Sequence, residues 1–434
     1  MEPVAAVGPD GGLAFAIDGK SPQFGPAFAR LAPACHRDRP TCDGLGAPQA
    51  VRVRRRGDAM EVSKPARPDS SSLVSIQALR GIAALLVFWG HAINAVHLEV
   101  AGDFPPLYGP FGVDLFFVIS GFVMVYSSER LFGQPGAPTK FFARRLARIV
   151  PLYWATTAIL VWFVVPYAST KAVLGSFLFT PRIPSEAPLL YVGWTLIFEM
   201  FFYTVFAVAL LAKRRIAVVA GAGVFLIAFT VLFGPAPGLS PHAPAASGIA
   251  YLADSVIIEF LFGMVIALVY RAGGRLPLWA TIGLLVAGVA WLSATAPAVP
   301  RLYSAGIAAA LIVGAMSLSS MPSPKGNVLM RGVVFLGDMS YSLYCTHLLS
   351  FSFVAWIVAQ LALGPIGHAW AYMGVMLATG LVIAAGTYLL FEKPTTELLK
   401  RLLARPRPSI DWQWRRARLA PKPVPAEAVS RARW

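Results

Sequence analysis

Ten apolar segments, each long enough to cross a lipid bilayer, constrain this chain more than any other feature of its sequence. A membrane-spanning helix needs about 20 predominantly apolar residues. Segments of about that length lie at 76–98, 107–127, 149–167, 190–212, 216–234, 250–270, 277–295, 303–320, 336–360 and 369–391. Only 13% of the 434 residues are charged, against about 25% in soluble domains. We therefore predict an all-α, polytopic integral membrane protein with about ten transmembrane helices.

The composition changes at both ends of this apolar region. Residues 73–394 are predicted to form the transmembrane domain, and residues 395–434 a basic cytoplasmic tail. Residues 1–72 are rich in Gly, Pro, Ala and Arg and lack the apolar core of a signal peptide, which predicts a disordered leader. Met60 opens a more usual cytoplasmic lead-in, so we hypothesise that translation begins there.

The leader also contains two cysteines, Cys35 and Cys42, beside His36. Their spacing fits no zinc-binding pattern. We therefore expect no metal, and we interpret both as incidental thiols.

The basic residues between the segments indicate an orientation. Of the 37 Lys and Arg residues, all but Lys171, Arg182 and Arg301 fall on one side of the predicted membrane. By the positive-inside rule, this side is cytoplasmic and holds both termini. The net charge of +16 is thereby explained as an orientation signal, and no nucleic-acid partner is expected.

Charges and histidines inside apolar segments are informative because each is costly in a membrane. Arg80 lies at the cytoplasmic end of the first segment and His91 follows eleven residues later. On a helix the two share a face and are separated by about 16 Å along the axis. Arg80 is thus placed to hold an anion at the membrane surface and His91 to meet a reacting group deeper inside. Asn94, one turn beyond, is a candidate to fix the imidazole tautomer.

Three buried carboxyl groups are predicted at the depth of His91. Asp114, Glu199 and Glu259 lie at similar distances from the outer ends of their segments, which suggests one polar layer and one buried site. The alternative is that structural hydrogen bonds satisfy each group separately. For Glu259, around which there is no motif, this alternative is favoured.

A second basic cluster, Arg144, Arg145 and Arg148, lies in the loop before the third segment. On a helix Arg144 and Arg148 are i and i+4 and present two guanidinium groups on one face, suited to phosphate oxygens. The alternative is an ordinary positive-inside anchor or a contact with lipid headgroups. Tyr153 follows at interface depth.

Taken together, these residues resemble the acyltransferase-3 family of bacterial membrane acyltransferases, in its exopolysaccharide acetyltransferase branch. The resemblance covers roughly residues 75–394 and rests on ordered blocks: Arg80 with His91, RRLARIVPLYW at 144–154, GVDLFFVISGFVM at 112–124, GWTLIFEMFFY at 193–203, LGDMSYSLYCTH at 336–347 and FEKP at 391–394.

The resemblance implies transfer of an acetyl or other short acyl group from acyl-CoA to a hydroxyl of a cell-surface or exported polysaccharide, in the bacterial inner membrane. The cofactor-binding residues are then Arg80, Arg144, Arg145, Arg148 and Tyr153, since coenzyme A is polyanionic. His91 is the expected general base, with Glu199 or Asp114 tuning it. A less favoured version makes His91 a transient acyl carrier.

Two further residues are candidates. His347 lies in the SYSLYCTH block, and its two interpretations, a site role and structural hydrogen bonding, weigh equally. Ser120 precedes Gly121 in a pair whose alternative role is close helix packing.

Rival functions remain at this point. A proton-coupled secondary transporter of a small polar solute would also use buried carboxyl groups and a histidine. A scaffold for a polysaccharide export complex would explain the apolar segments but not the aligned Arg80 and His91. The expected partners are the acyl-CoA, a saccharide acceptor and the lipid bilayer, with polysaccharide assembly or export proteins as further candidates.

Overall fold

The computed structural model describes residues 70–99, 109–181, 188–234, 247–296, 299–320, 327–361 and 369–404. Within these ranges the protein is helical and contains no β-strand. The α-helices are α1 Ser70–Glu99, α2 Phe111–Ser127, α3 Ala137–Phe163, α4 Thr170–Phe177, α5 Gly193–Ala209, α6 Arg215–Phe233, α7 Gly248–Leu252, α8 Ile258–Arg271, α9 Leu278–Thr295, α10 Ile307–Leu318, α11 Val328–Asp338, α12 Ser340–Gln360, α13 Ala369–Thr387 and α14 Lys393–Ala404.

Four short helices of other types continue or join these elements. Two are 3₁₀ helices, Leu210–Ala212 and Ser255–Ile257. Two are π-helical, Leu302–Gly306 and Tyr388–Glu392. The predicted leader, the proposed start at Met60, both leader cysteines and residues 405–434 of the tail lie outside the described residues.

The helices confirm the all-α membrane architecture. Among the described residues, eight helical segments are long and apolar enough to cross a membrane: Val74–Val96, Ala137–Phe163, Gly193–Ala212, Arg215–Phe233, Gly248–Arg271, Leu278–Thr295, Ser340–Gln360 and Trp370–Ala404. Two shorter apolar helices, Phe111–Ser127 and Leu302–Leu318, coincide with the other two predicted segments. The number of spans and the cytoplasmic position of the termini stay predictions.

The basic cluster before the third segment lies in a helix and not in a loop. Helix α3 begins at Ala137 and runs without a break through Arg144–Arg148 to Phe163. Ala, Leu and Arg are good helix formers, which explains why the helix extends past the apolar segment. Gly136, with φ of 68°, is the N-cap residue before the helix, and a proline follows in the first turn.

Glycines allow the central helices to approach closely. A Cβ added to Gly121 of α2 would lie 2.0 Å from the carbonyl oxygen of Phe260 in α8. A Cβ added to Gly263 of α8 would lie 1.9 Å from the carbonyl oxygen of Val118 in α2. Both helices therefore meet backbone to backbone, as small residues permit in membranes. In the Ser120-Gly121 pair, the close approach is thus made at Gly121.

Large apolar side chains cover the outside of the peripheral helices. On α9, Trp279 is 78% exposed and Val286 62% exposed, and on α6 Val231 is 77% exposed. Such a surface is incompatible with water but suits lipid chains. The buried aromatic side chains, such as Phe202 and Phe260 with ring centroids 4.0 Å apart, lie between the central helices.

Candidate active site

A cavity of about 110 Å³, lined by both apolar and polar side chains, lies between α1, α2, α3, α5 and α12. Three of its four charged lining residues are arginines and one is a glutamate, so it has an excess of positive charge. Such a cavity suits an anion with several oxygens. The polar lining consists of Arg80, Ser120, Arg145, Arg148, Thr195, Glu199, Tyr203, Ser340, Tyr341 and Tyr344.

Arg80 is held in the cavity by hydrogen bonds from its guanidinium group. Nη2 donates to Ser340 Oγ at 3.0 Å, and Nη1 donates to Gln77 Oε1 at 3.0 Å. Gln77 Nε2 in turn donates to Asp338. Gly337 makes this possible, because a Cβ there would lie 2.1 Å from the Gln77 carbonyl oxygen. The LGDMSYS block therefore positions Arg80.

The arginines of α3 have different environments. Arg145 donates to Ser127 Oγ at 2.8 Å, and its guanidinium carbon lies 5.5 Å from the centre of the Tyr203 ring. Arg148 lines the cavity and makes no hydrogen bond to a described residue. Arg144 is exposed and does not line the cavity. The structure thus brings together Arg145 and Arg148, and not the i, i+4 pair expected from the sequence.

Glu199 is the carboxylate of the cavity. Ser120 Oγ donates to Glu199 Oε1 at 3.1 Å, and the Tyr203 hydroxyl donates to the same oxygen. Two donors on one oxygen fix the carboxylate opposite the arginines. Ser120 therefore has a direct contact with the site in addition to its place in the helix-packing pair.

The two histidines lie next to each other and do not line the cavity. The rings of His91 and His347 have centroids 5.3 Å apart, and the Tyr191 ring lies 5.6 Å from His91. Tyr344 lines the cavity, and its ring lies 6.2 Å from that of His347. Tyr344 thus connects the arginine cavity with the histidine pair.

Asp114 is separate from this group. Arg301 Nε donates to Asp114 Oδ1 at 2.8 Å and Nη2 donates to Oδ2 at 3.1 Å. Asp114 is fully buried, as is the neighbouring Glu259, whose Oε1 would lie 3.2 Å from a Cβ on Gly306. The expected single polar layer is therefore divided between Glu199 in the cavity, the histidine pair and this Asp114–Arg301 group.

The profile of the family described as "Acyltransferase domain" matches residues 73–389 of the chain. The chain belongs to the acyltransferase-3 family. It is therefore a membrane acyltransferase, and family membership favours the enzyme over the transporter and the scaffold.

Three relatives extend this result. The acyltransferase is 36% identical over 315 residues to the exopolysaccharide production protein ExoZ of Rhizobium meliloti, covering 68% of this chain and 92% of the relative. It is 25% identical over 371 residues to nodulation protein 10 of Rhizobium leguminosarum bv. viciae (75% and 94%). It is 24% identical over 376 residues to the acyltransferase MdmB of Streptomyces mycarofaciens (76% and 93%). No solved structure matches it.

Two candidate residues of the acyltransferase lie away from the cavity. Tyr153 is fully buried, stacks on Phe179 with centroids 4.7 Å apart and packs against Gly193. Asn94 is exposed. In the described part of the acyltransferase, no three His, Cys, Asp or Glu side chains are grouped to hold a metal ion.

Several residues of the acyltransferase site were not singled out from the sequence. Gln77 and Asp338 position Arg80, and Tyr203 contacts both Glu199 and Arg145. Tyr203 lies four residues after Glu199, one helical turn away, and this spacing is a signal that could have found it. Arg301 was counted only as an outer basic residue, although a buried Asp114 requires a cationic partner.

Proposed function

We propose that this acyltransferase moves an acetyl or other short acyl group from acyl-CoA to a hydroxyl of a cell-surface or exported polysaccharide. The observation that carries the proposal is the convergence of Arg80, Arg145 and Arg148 from two helices in one cavity. The name of the relative from Rhizobium meliloti, an exopolysaccharide production protein, supports a polysaccharide acceptor.

The donor's phosphates fit the charge of the cavity. Three guanidinium groups and one carboxylate, Glu199, line the cavity, so its lining has an excess of positive charge. Two further carboxyl groups, Asp338 and Glu392, act on Arg80 from outside the lining. Arg80 and Arg145 are already oriented by Ser340 and Ser127, and Arg148 has donors available for phosphate oxygens. We infer that coenzyme A binds here by its phosphates.

The reaction takes place at His91 in this proposal. The flexible arm of coenzyme A would pass Tyr344 and bring the thioester to the histidine pair, about 16 Å from Arg80 along α1. His91 takes the proton of the acceptor hydroxyl while the hydroxyl oxygen forms a bond to the thioester carbonyl carbon. The carbon–sulfur bond then breaks, and His91 returns the proton to the leaving thiolate. In the alternative mechanism, His91 carries the acyl group itself.

We place the acyltransferase in the bacterial inner membrane, with the arginine cavity open to the cytoplasm, where acyl-CoA is available. The distribution of basic residues supports this orientation. The acyl group would then travel inward along α1 from Arg80 toward His91. Which membrane face releases the product depends on where the acceptor meets His91.

The test uses the full-length protein in lipid nanodiscs with labelled acetyl-CoA and isolated exopolysaccharide. Wild-type protein is expected to transfer label to the polysaccharide and to release free thiol. His91→Ala is expected to bind acetyl-CoA and transfer none. Asn94→Ala, an exposed position one turn away on α1, is the matched control and is expected to keep full activity. Full transfer by His91→Ala would overturn the assignment.

A further inference from the structure

His347 has a defined tautomer in this structure. Its ring is 1% exposed, and Nδ1 lies 3.1 Å from the carbonyl oxygen of Leu343, one turn earlier in α12. A carbonyl oxygen can only accept a hydrogen bond, so Nδ1 carries the proton. The other nitrogen, Nε2, is therefore an acceptor with a free lone pair.

Nε2 of His347 is buried and has no hydrogen-bond partner among the described residues. Such a group is costly unless a donor reaches it. Two of the surrounding rings, Phe88 and Phe351, have no donor to offer, with centroids 6.1 and 5.7 Å from His347. A third ring, that of Tyr344, lies 6.2 Å away.

The Tyr344 hydroxyl is already engaged. It donates to the carbonyl oxygen of Val192 at 3.1 Å and lies 2.6 Å from the hydroxyl of Thr195. Of the rings in contact with His347, His91 is then the one with an N–H group left to donate. Its centroid lies 5.3 Å away and its plane is tilted by 35°.

We propose that His347 is a positioning residue for His91: in the working enzyme the His91 ring turns so that one ring N–H donates to His347 Nε2, a bond that is not formed in the arrangement described above. The inference rests on the proposed function, in which His91 is the base. The bond fixes the His91 tautomer, so that the opposite nitrogen stays unprotonated and faces the reacting hydroxyl. The neutral imidazole of His347 thus accepts the N–H of His91, as a carboxylate does for many catalytic histidines.

In this arrangement a proton passes through His91 during the reaction, and His347 stays neutral. The proton of the acceptor hydroxyl moves to the free nitrogen of His91 and then to the leaving thiolate. Throughout, the N–H bonded to His347 Nε2 and the Nδ1–H bonded to Leu343 stay in place. His347 therefore acts through His91 and touches no substrate atom.

The experiment compares three variants in nanodiscs. His347→Leu removes the acceptor; His347→Gln offers an amide oxygen to the same N–H. Phe351→Leu disturbs the packing of the His347 ring and leaves Nε2 intact. We measure kcat, KM for acetyl-CoA, thermal stability and the His91 tautomer by ¹⁵N NMR of histidine-labelled protein, with His91 assigned from the His91→Ala spectrum.

His347→Leu is expected to lower kcat by about 10- to 100-fold, the usual effect of losing an orienting partner, with KM for acetyl-CoA unchanged. His91 is expected to change from one tautomer to a mixture. His347→Gln should recover part of kcat, and Phe351→Leu should stay close to wild type in both kcat and tautomer.

Three results would overturn the inference: unchanged kcat in His347→Leu, a lower kcat with an unchanged His91 tautomer, or a mixed His91 tautomer in the wild type. If His347→Leu does not fold, the wild-type spectrum and the comparison of His347→Gln with Phe351→Leu still test the inference. Failure of the proposed function itself is recognised separately, by full transfer activity in His91→Ala.

Discussion

Arg80 of α1 donates a hydrogen bond of 3.0 Å to the hydroxyl of Ser340, the first residue of α12. Eleven residues further along α1, His91 contacts His347 of the same α12 helix. The two ends of the Arg80–His91 pair are thus both aligned by α12. In the proposed mechanism the contact with Ser340 positions Arg80, which binds the donor. The contact with His347 orients the ring of His91, which is the base.

Ser340→Ala tests the first contact. Losing the hydroxyl frees one side of the Arg80 guanidinium, while Gln77 still holds the other. We expect KM for acyl-CoA to rise by about 3- to 10-fold, corresponding to about one hydrogen bond, with little change in kcat. Steady-state kinetics check this. A fall in kcat at unchanged KM would place Ser340 in the chemical step instead.

Glu199→Gln separates the charge of this group from its hydrogen bonds. The amide oxygen can still accept from Ser120 and Tyr203, so the fold should be kept. Removing the negative charge beside three arginines should strengthen coenzyme A binding several-fold. Calorimetric titration measures this, and Glu199→Asp serves as the charge-conserving control. Weaker binding in Glu199→Gln would show that Glu199 itself contacts the donor.

Arg301→Met tests whether the Asp114 group is structural. The substitution leaves a fully buried carboxylate without its ion partner, which typically costs about 3–5 kcal/mol of stability. The double variant Asp114→Asn with Arg301→Met should recover much of this loss. Thermal unfolding in detergent checks both. Normal stability of Arg301→Met together with lost transfer would instead assign the pair to the active site.

Gly263→Ala tests the contact between α2 and α8. The added methyl group would lie 1.9 Å from the Val118 carbonyl oxygen, so the helices must separate. We expect a destabilisation of about 1–3 kcal/mol, measured by thermal unfolding. Gly283→Ala on α9, where nothing lies within 4 Å of the new Cβ, is the matched control and should be neutral. Equal stability of both variants would contradict the packing model.

The fold was predictable to a large extent because bilayer-length apolar segments leave few alternatives to helices. The predicted segment at 107–127 contains the observed α2, Phe111–Ser127. The sequence prediction missed the start of α3 at Ala137. The first turns of α3 are polar and basic, and a search for apolar segments does not detect such turns.

The site was predictable only in part. Periodicity placed Arg80 and His91 on one helix, but the rotation of α3 about its axis depends on packing between helices. That rotation makes Arg145, and not Arg144, the neighbour of Arg148 in the cavity. Depth counting likewise put Asp114 and Glu199 in one layer, but depth contains no information on lateral position, so the pairing of Asp114 with Arg301 was not foreseen.

Equilibrium binding of labelled acetyl-CoA to nanodiscs tests most directly whether the cavity holds the donor's phosphates. Arg148→Ala should weaken binding by about tenfold or more, as loss of a charge-assisted contact implies, and should reduce its dependence on salt. Arg144→Ala removes the same charge four residues earlier, outside the cavity, and should bind as the wild type does. Equal affinities in the two variants would contradict the account. If both were normal, these arginines would be simple membrane anchors, and if both were weakened, donor binding would not depend on the cavity.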